Sequence, residues 1–289
     1  MSKTKLYISP TNNPFENLAL EEWALQNFNT QDSNLLILYV NEPCVVVGRN
    51  QNIFEEVNVR YCSENQIEIT RRISGGGTVF HDLGNLNWTH ITSFDSKKVN
   101  SYEWAAKPII DALKGFNLDA YLTDRNAIEI SGLKVSGQAQ FTNRKNILSH
   151  GTLLIDSELV KLQRAIEVNP GVEIQSKASP SHRSQTVNLS KLLNRPITPS
   201  IVVEAIRDKA KIESIDHLPA ELSVNKFKSY AWIYERSPKF IAHHEIAGEK
   251  LLLQVEKATI KAIKDEKGHL LQDHPFLNQT YKKFLNHYS

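Results

Sequence analysis

Cysteine is nearly absent: Cys44 and Cys62 are the only two in 289 residues. Two are too few for a disulfide framework and are wrongly arranged for a zinc site, which points to a reducing compartment. Charge of one sign is missing as well, since 34 Lys and Arg against 32 Asp and Glu leave a net charge of +2. No basic field advertises a nucleic-acid partner. No apolar run approaches the ~20 residues of a membrane span. The opening stretch "MSKTKLYISPTNNPFENLALEEW" has neither the apolar core of a signal peptide nor an Arg-rich transit pattern. These absences lead us to expect a cytoplasmic protein with no membrane or nucleic-acid partner. What remains is 40% hydrophobic and 23% charged, the make-up of an ordinary globular protein. The length suits one large domain with a small appendage.

The patterning interleaves helices and strands and contains no repeat. Residues 14–28 read as a helix, with Asn13 as cap, Pro14 at the first position and Glu16 at capping-box spacing. Phe15, Leu18, Ala19, Trp23 and Leu25 share its apolar face. Glu22 falls inside that face, where a carboxylate pairs with a basic group at the edge of a core. "LLILYV" and "CVVVGR" are strands separated by the turn "NEP". A strand over residues 67–73 runs into three glycines, and "LNWTHITSF" follows as another. Residues 102–114 form a helix closed by Gly115. "AIEI" and "LKV", joined by Ser131 and Gly132, make a two-residue hairpin with Ile130 opposite Leu133 and Glu129 opposite Lys134. "ILSHGTLLI" is a strand, and helices cover 158–168 and 200–212. From residue 237 a small meander turns at Gly248 and Glu249, and a last helix opens at Asp273 and Pro275. That unit is small enough to lean on the rest.

The run "RRISGGGTVFHDLGN", residues 71–85, lies between strands. It lacks the Lys-Ser/Thr and following helix of a triphosphatase phosphate loop, and its spacing is wrong for a dinucleotide fingerprint. A glycine turn can exist for backbone geometry alone. The adjoining Arg72 supplies a cation with several donors beside amides that no Cβ obstructs, which is what an anionic ligand needs. Lys134 either pairs with Glu129 in water or lines the pocket behind the glycines as a fixed cation. Ser136 and Gly137 again let backbone approach closely. His150 and Thr152 share a strand face around Gly151, where a histidine is either structural or catalytic.

The blocks "RRISGGGTVFHDLGNLNWT", "GLKVSGQAQ", "LSHGTLLID" and "SHRSQTVNLSKLL", with "NNPFENLALEEW", "VVVGRNQNIFEEVN" and "AWIYERSPKF", resemble those of lipoate-protein ligase A and the related lipoyltransferases, in order and spacing, over about residues 7–240. The resemblance implies a mixed α/β (α+β) fold. A catalytic domain of the biotin and lipoate ligase type, with a β-sheet core and helices, would cover residues 1–240, and a small, truncated C-terminal α+β domain would cover 241–289. It implies that lipoate and Mg2+-bound ATP react to lipoyl-AMP, and that the lipoyl group then passes to a lysine of lipoyl domains in 2-oxoacid dehydrogenase complexes or of the glycine-cleavage H protein. It also implies a monomer. By the same resemblance Arg72, Gly77, Thr78, Val79, Phe80 and Lys134 contact ATP or the adenylate. Arg72, Ser74, Gly75, Gly76, Lys134, His150 and Gly151 hold lipoate, and Lys134 is the catalytic cation.

The chain departs from the family where many ligases read Arg-Asn-Asp, with the acid near magnesium. Here Arg125 and Asn126 are followed by Ala127. Glu129 or Asp124 could replace that acid, or the chain could be a lipoyltransferase that uses preformed lipoyl-AMP. The same blocks are compatible with an octanoyltransferase and with a non-catalytic lipoyl-domain binding protein. Arg125, Lys134, Arg144 and Lys145 cluster in sequence, and we expect them to form a basic rim for an acidic acceptor.

Overall fold

Asn13 opens the first helix as its position predicts. Its side-chain oxygen accepts the N–H groups of Phe15 (3.0 Å) and Glu16 (3.3 Å), and the helix Pro14–Asn27 follows. The expected return bond from Glu16 is replaced, because the Asn13 N–H goes to the Thr11 hydroxyl at 3.1 Å. Phe15, Leu18, Ala19 and Leu25 are buried against the large sheet. Glu22 meets Lys226 at 2.6 Å on the edge of that core, as expected. The computed structural model describes residues 3–168, 172–182, 184–210, 212–218, 221–246 and 248–288. Arg183, in the block "SHRSQTVNLSKLL", and position 211, at the end of the expected helix 200–212, lie outside the described residues; the helix found there is Pro199–Ala210.

Among the described residues, an eight-stranded mixed sheet runs in the order Glu213–Ser214, Thr4–Ile8, Asn34–Val40, Asn85–Ser93, Asn146–Leu154, Leu133–Thr142, Ala127–Ile130, Ala120–Leu122. Only the first two pairings are parallel. The predicted hairpin is present in its predicted register: Ile130 opposes Leu133 and Glu129 opposes Lys134. Ser131 and Gly132 are both left-handed (φ 52° and 78°), the twist that a two-residue hairpin turn requires. A three-stranded sheet is formed by Glu68–Arg71, Cys44–Val47 and Val79–His81. Asn34–Val40 and Cys44–Val47 therefore belong to different sheets. The short strand Val79–His81, directly after the glycines, is not expected from the sequence pattern.

A four-stranded sheet of Glu173–Ser176, Phe240–Ile246, Glu249–Glu256 and Thr259–Lys264 closes the chain. Its edge strand Glu173–Ser176 comes from well before residue 240. Its apolar face shares one core with the three-stranded sheet, in which Val45, Phe54 and Phe80 pack with Phe240, Leu253, Tyr281 and Phe284. Phe54 and Tyr281 meet edge to face at 4.9 Å. The helix expected from Pro275 starts only at Tyr281, capped by Thr280, because Asn278 is left-handed (φ 62°) and breaks the run. In the helix Glu103–Gly115, Gly115 is the last helical residue and the left-handed position falls on Asn117 (φ 61°). No helix among the described residues is long and apolar enough to cross a membrane.

Three buried histidines set an acid limit on this fold. Burial, the largest cause in each, pushes the His81 imidazole down to about 3 and those of His90 and His244 down to about 4. The unfolded chain binds protons at these sites from its ordinary value near 6.5 downward, so their stability contribution is complete above that pH and is lost as pH falls from 6.5 toward 4. Each group contributes a slope of about 1.4 kcal/mol per pH unit in that window. We predict that the urea midpoint drops steeply between pH 6.5 and pH 5, before ordinary carboxylates titrate. A midpoint that is flat over that interval would show that the three rings are not held neutral.

Candidate functional site

Strand alternation sends the two arginines before the glycines in opposite directions. Arg71 is fully buried and makes no ion pair among the described residues. Its guanidinium donates to the carbonyls of Gly48 (2.8 Å), Gln51 (2.7 Å) and Ile233 (2.8 and 3.1 Å) and to the Ser237 hydroxyl. Arg72 turns the other way, into a cavity of about 430 Å³. There it donates to the carbonyls of Gly75 (2.6 Å), Gly77 (2.7 Å) and Val46 (3.1 Å) and to the Ser74 hydroxyl (3.0 Å). Most of its donors thus hold the glycine loop in shape, and its charge reaches the cavity from behind that loop. Gly76 is left-handed (φ +85°), and a Cβ there would lie 3.0 Å from the Arg72 guanidinium. The run tolerates no side chain at that point because the loop wraps a cation.

Of the residues singled out by sequence, Arg72, Gly75, Gly76, Gly77, Thr78, Val79, Lys134, His150 and Gly151 line the cavity together. Four do not. Phe80 is buried in the core shared with the C-terminal sheet, because alternation along Val79–His81 gives Val79 and His81 to the cavity and Phe80 to the opposite side. Ser74 is fully buried behind the wall and links Arg72 to His150. Asp124 and Glu129, the candidate metal-side acids, lie outside the lining; Glu129 stands across the ladder from Lys134. Arg144 and Lys145 follow the far end of the strand Leu133–Thr142. Thr142, the end of that strand, is eight residues from Lys134, about 26 Å at the usual rise, and Arg144 and Lys145 lie in the turn beyond it. Of the basic residues expected to cluster there, Arg125 and Lys134 line the cavity, and Arg144 and Lys145 are outside its lining.

The inner end of the cavity is built on Glu21, which is 1% exposed. Its carboxylate accepts the Tyr39 hydroxyl (2.9 Å), the Thr89 hydroxyl and the His150 ring at Nδ1 (2.9 Å). Burial alone would raise the Glu21 carboxyl, but the adjoining His150, Thr89 and Tyr39 outweigh it and hold the group below the ordinary carboxylate range. The Nδ1 N–H points at the carboxylate, and Nε2 meets the Ser74 hydroxyl at 2.6 Å. Ser74 in turn accepts from Arg72. Glu21, His150, Ser74, Arg72 and the glycine carbonyls form one continuous, oriented chain. Leu18, Tyr39, Val46 and Ala139 give this end its apolar walls. His150 is thus an oriented wall residue.

Lys134 reaches forward along its strand, and a Cβ on Gly137 would lie 3.2 Å from its Cε and Nζ. Its backbone is fixed on the outer edge by Gln185 and Val187, both at 3.0 Å, which joins the lysine block to "SHRSQTVNLSKLL". Burial lowers the Lys134 ammonium from its ordinary value, more than the nearby Glu129 raises it. A desolvated cation with no ion-pair partner among the described residues favours an anionic ligand.

A strap over residues 179–182 covers the glycine loop. The Ser181 hydroxyl accepts the Thr78 N–H (2.9 Å) and the Gln51 amide (2.9 Å) and donates to Glu56, while its own N–H donates to Glu56 at 2.9 Å. The Thr78 amide, expected to face a nucleotide, is satisfied within the protein. Sequence reasoning missed Glu21, Glu56 and Ser181. Glu21 shares its helix and its residue type with Glu22, and only its distant partners distinguish the two.

Residues 13–211 match the family model described as the lipoyl protein ligase A/B catalytic domain. The chain is 36% identical over 279 residues to lipoate-protein ligase 1 of Staphylococcus aureus, covering 92% of this chain and 84% of that protein. Among solved structures it is similar to P. falciparum LipL1 in complex with lipoate, with a TM-score of 0.67, 26% identity, and coverage of 98% of this chain and 88% of that one. It shares its fold with a lipoate-protein ligase A bound with ATP, at a TM-score of 0.62, 23% identity, and coverage of 76% and 90%.

We predict that Glu21→Gln destabilises the protein by about 3 kcal/mol, because the amide cannot accept all three donors, Tyr39, Thr89 and His150, and leaves a buried one unsatisfied. Denaturant unfolding at pH 7.5 measures this, and a loss below about 0.5 kcal/mol would mean that the chain of bonds is not closed through Glu21.

Proposed function

The chain belongs to the lipoate-protein ligase family, and we propose that its cavity binds lipoate and ATP, joins them as lipoyl-AMP, and transfers the lipoyl group to a lysine of a lipoyl domain. The observation that carries this is the division of one cavity into an apolar end closed by His150 and a cationic end holding Lys134 and Arg125. Ala139, opposite His150, and Gly137, beside which the Lys134 ammonium sits, lie on one strand, so the apolar end and the cation face the same cavity along one wall. The dithiolane end lies among Leu18, Tyr39 and Val46, and the carboxylate lies at Lys134.

In the first step a lipoate carboxylate oxygen attacks the α-phosphorus and pyrophosphate leaves. Two anions must meet, and Lys134 and Arg125 offset their repulsion while Arg72 adds charge from behind the loop. In the second step the acceptor amine attacks the acyl carbon, AMP leaves with the bonding pair, the amide forms, and the amine loses its proton. Lys134 again faces the oxygen on which charge develops. It acts as a positioned cation and forms no covalent bond.

The described lining contains no Asp or Glu. Magnesium prefers carboxylate and phosphate oxygens, so these residues do not fit a protein seat for the ion, and both steps rest on the chain's own cations. The same lining, with Ala127 in the place of an acid, supports a second reading, a transferase fed with preformed lipoyl-AMP. Pyrophosphate release from ATP and lipoate without acceptor decides between the two: release establishes activation, whereas silence together with transfer from supplied lipoyl-AMP establishes the transferase.

We predict that Lys134→Ala abolishes lipoylation with a change in stability under about 1 kcal/mol, since a lysine without an ion pair contributes little to the fold while a cation at developing charge is worth about 3 kcal/mol of barrier. Turnover at the wild-type rate would remove Lys134 from the mechanism. Gly137→Ala should melt close to wild type, because the displaced neighbour is the flexible end of Lys134. It should nevertheless lose at least about ten-fold in kcat/KM, roughly 1.4 kcal/mol of barrier. Normal kcat/KM in a folded variant would show that the ammonium position is not critical.

A further inference from the structure

Arg49 and Arg236 are two guanidiniums at the surface beside the glycine loop that lack any ion-pair partner among the described residues. Arg49 is held over the Phe141 ring at 5.3 Å and Arg236 over the Trp232 ring at 4.9 Å. Such contacts fix a guanidinium plane and leave its N–H edge open to a ligand. The two cations also oppose each other: Arg236 is held below its ordinary value first by burial and then by Arg49. Like charges kept together without an internal counter-ion are stabilised by an external anion.

Their attachment ties them to the site. The Arg49 N–H donates to the Ser74 carbonyl at 2.8 Å. The Trp232 indole N–H donates to the Arg71 carbonyl at 2.6 Å, and Lys226 lies over the same ring at 4.2 Å. Lys226 is paired with Glu22, and the exposed Glu235 adjoins Arg236. The excess positive charge of the patch therefore rests on Arg49 and Arg236. Neither side chain lines the cavity, whose cations are Arg72, Arg125 and Lys134. A lysine-bearing acceptor approaches that cavity as a cation and is repelled by all three. It can seat its lysine only if its own surface carries compensating acid and finds cations outside the cavity to meet it.

We propose that Arg49 and Arg236, steadied by Phe141 and Trp232, form the docking surface for an acidic acceptor domain that presents its lysine to the cavity. The proposal rests on reading the chain as a lipoate-protein ligase. It places docking beside the glycine loop, at Arg49 and Arg236.

The test uses the whole protein with lipoate, ATP and a purified lipoyl domain, and in parallel with hydroxylamine replacing the domain, so that lipoyl-AMP is trapped as the hydroxamate. Arg49→Glu/Arg236→Glu should raise the acceptor KM by about ten-fold or more at low ionic strength, flatten its salt dependence, and leave kcat and hydroxamate formation within about two-fold. Arg49→Gln/Arg236→Gln should give a smaller rise and serves if the reversed variant is unstable. An unchanged acceptor KM in both Arg49/Arg236 variants overturns the proposal, and a raised KM for ATP with loss of hydroxamate assigns the pair to the nucleotide instead. Wild-type protein that yields neither hydroxamate nor lipoylated domain overturns the ligase reading itself, a result separate from either variant.

Discussion

A buried positive charge without a negative one governs this structure. Arg71 sits in a low-dielectric interior where an isolated guanidinium would be very costly. It is retained because carbonyls from the turn after Cys44–Val47, the Ile233 carbonyl and the Ser237 hydroxyl surround it. Burial, with help from Arg236 and Arg72, brings it down to about 10, so it keeps its proton at neutral pH. Two segments distant in sequence, residues 48–51 and 233–237, converge on one side chain. Removing either of them exposes the charge to an environment that cannot solvate it.

That constraint propagates to the site by simple alternation. With Arg71 pinned on one side, Arg72 must face the other, and the glycines close around it because their carbonyls supply its acceptors. Ser74, inside the same loop, then connects this cation to His150 and on to Glu21. The floor of the cavity is therefore set by a sequence of donor and acceptor matches that runs from a helix near the N-terminus to the strand Asn146–Leu154. Each group has one orientation in which all its neighbours are satisfied, and such networks favour a unique arrangement when complete. The ligand meets a preformed wall.

What could be read from sequence was local. The Asn13 cap, the Ser131-Gly132 turn and the pairing of Glu129 with Lys134 depend on residues within a few positions of one another, and all are present. The assembly of Arg72, the glycines, Lys134 and His150 was legible because the family's blocks carry it. Glu21 was not legible, since its partners Tyr39, Thr89 and His150 lie 18, 68 and 129 positions away. Ser181, 103 positions from Thr78, was hidden for the same reason. That the Phe80 side chain turns into the core was hidden because a three-residue strand is too short to announce its alternation. Arg144 and Lys145 fall just past the end of the strand Leu133–Thr142, and sequence spacing alone did not show that they stand outside the lining.

The core that joins Phe54 and Phe80 to Tyr281 and Phe284 has a mechanical meaning. The four-stranded C-terminal sheet and the three-stranded sheet are glued along one apolar face, and Arg71 rivets the second of these to Ile233, just ahead of the first. Turning the C-terminal sheet alone would peel that face apart and strip the rivet. A rotation that preserves both takes the three-stranded sheet with it, and the glycine loop forms the roof of the cavity at that sheet's end. The C-terminal sheet and the loop that wraps Arg72 are thus attached to the same three strands.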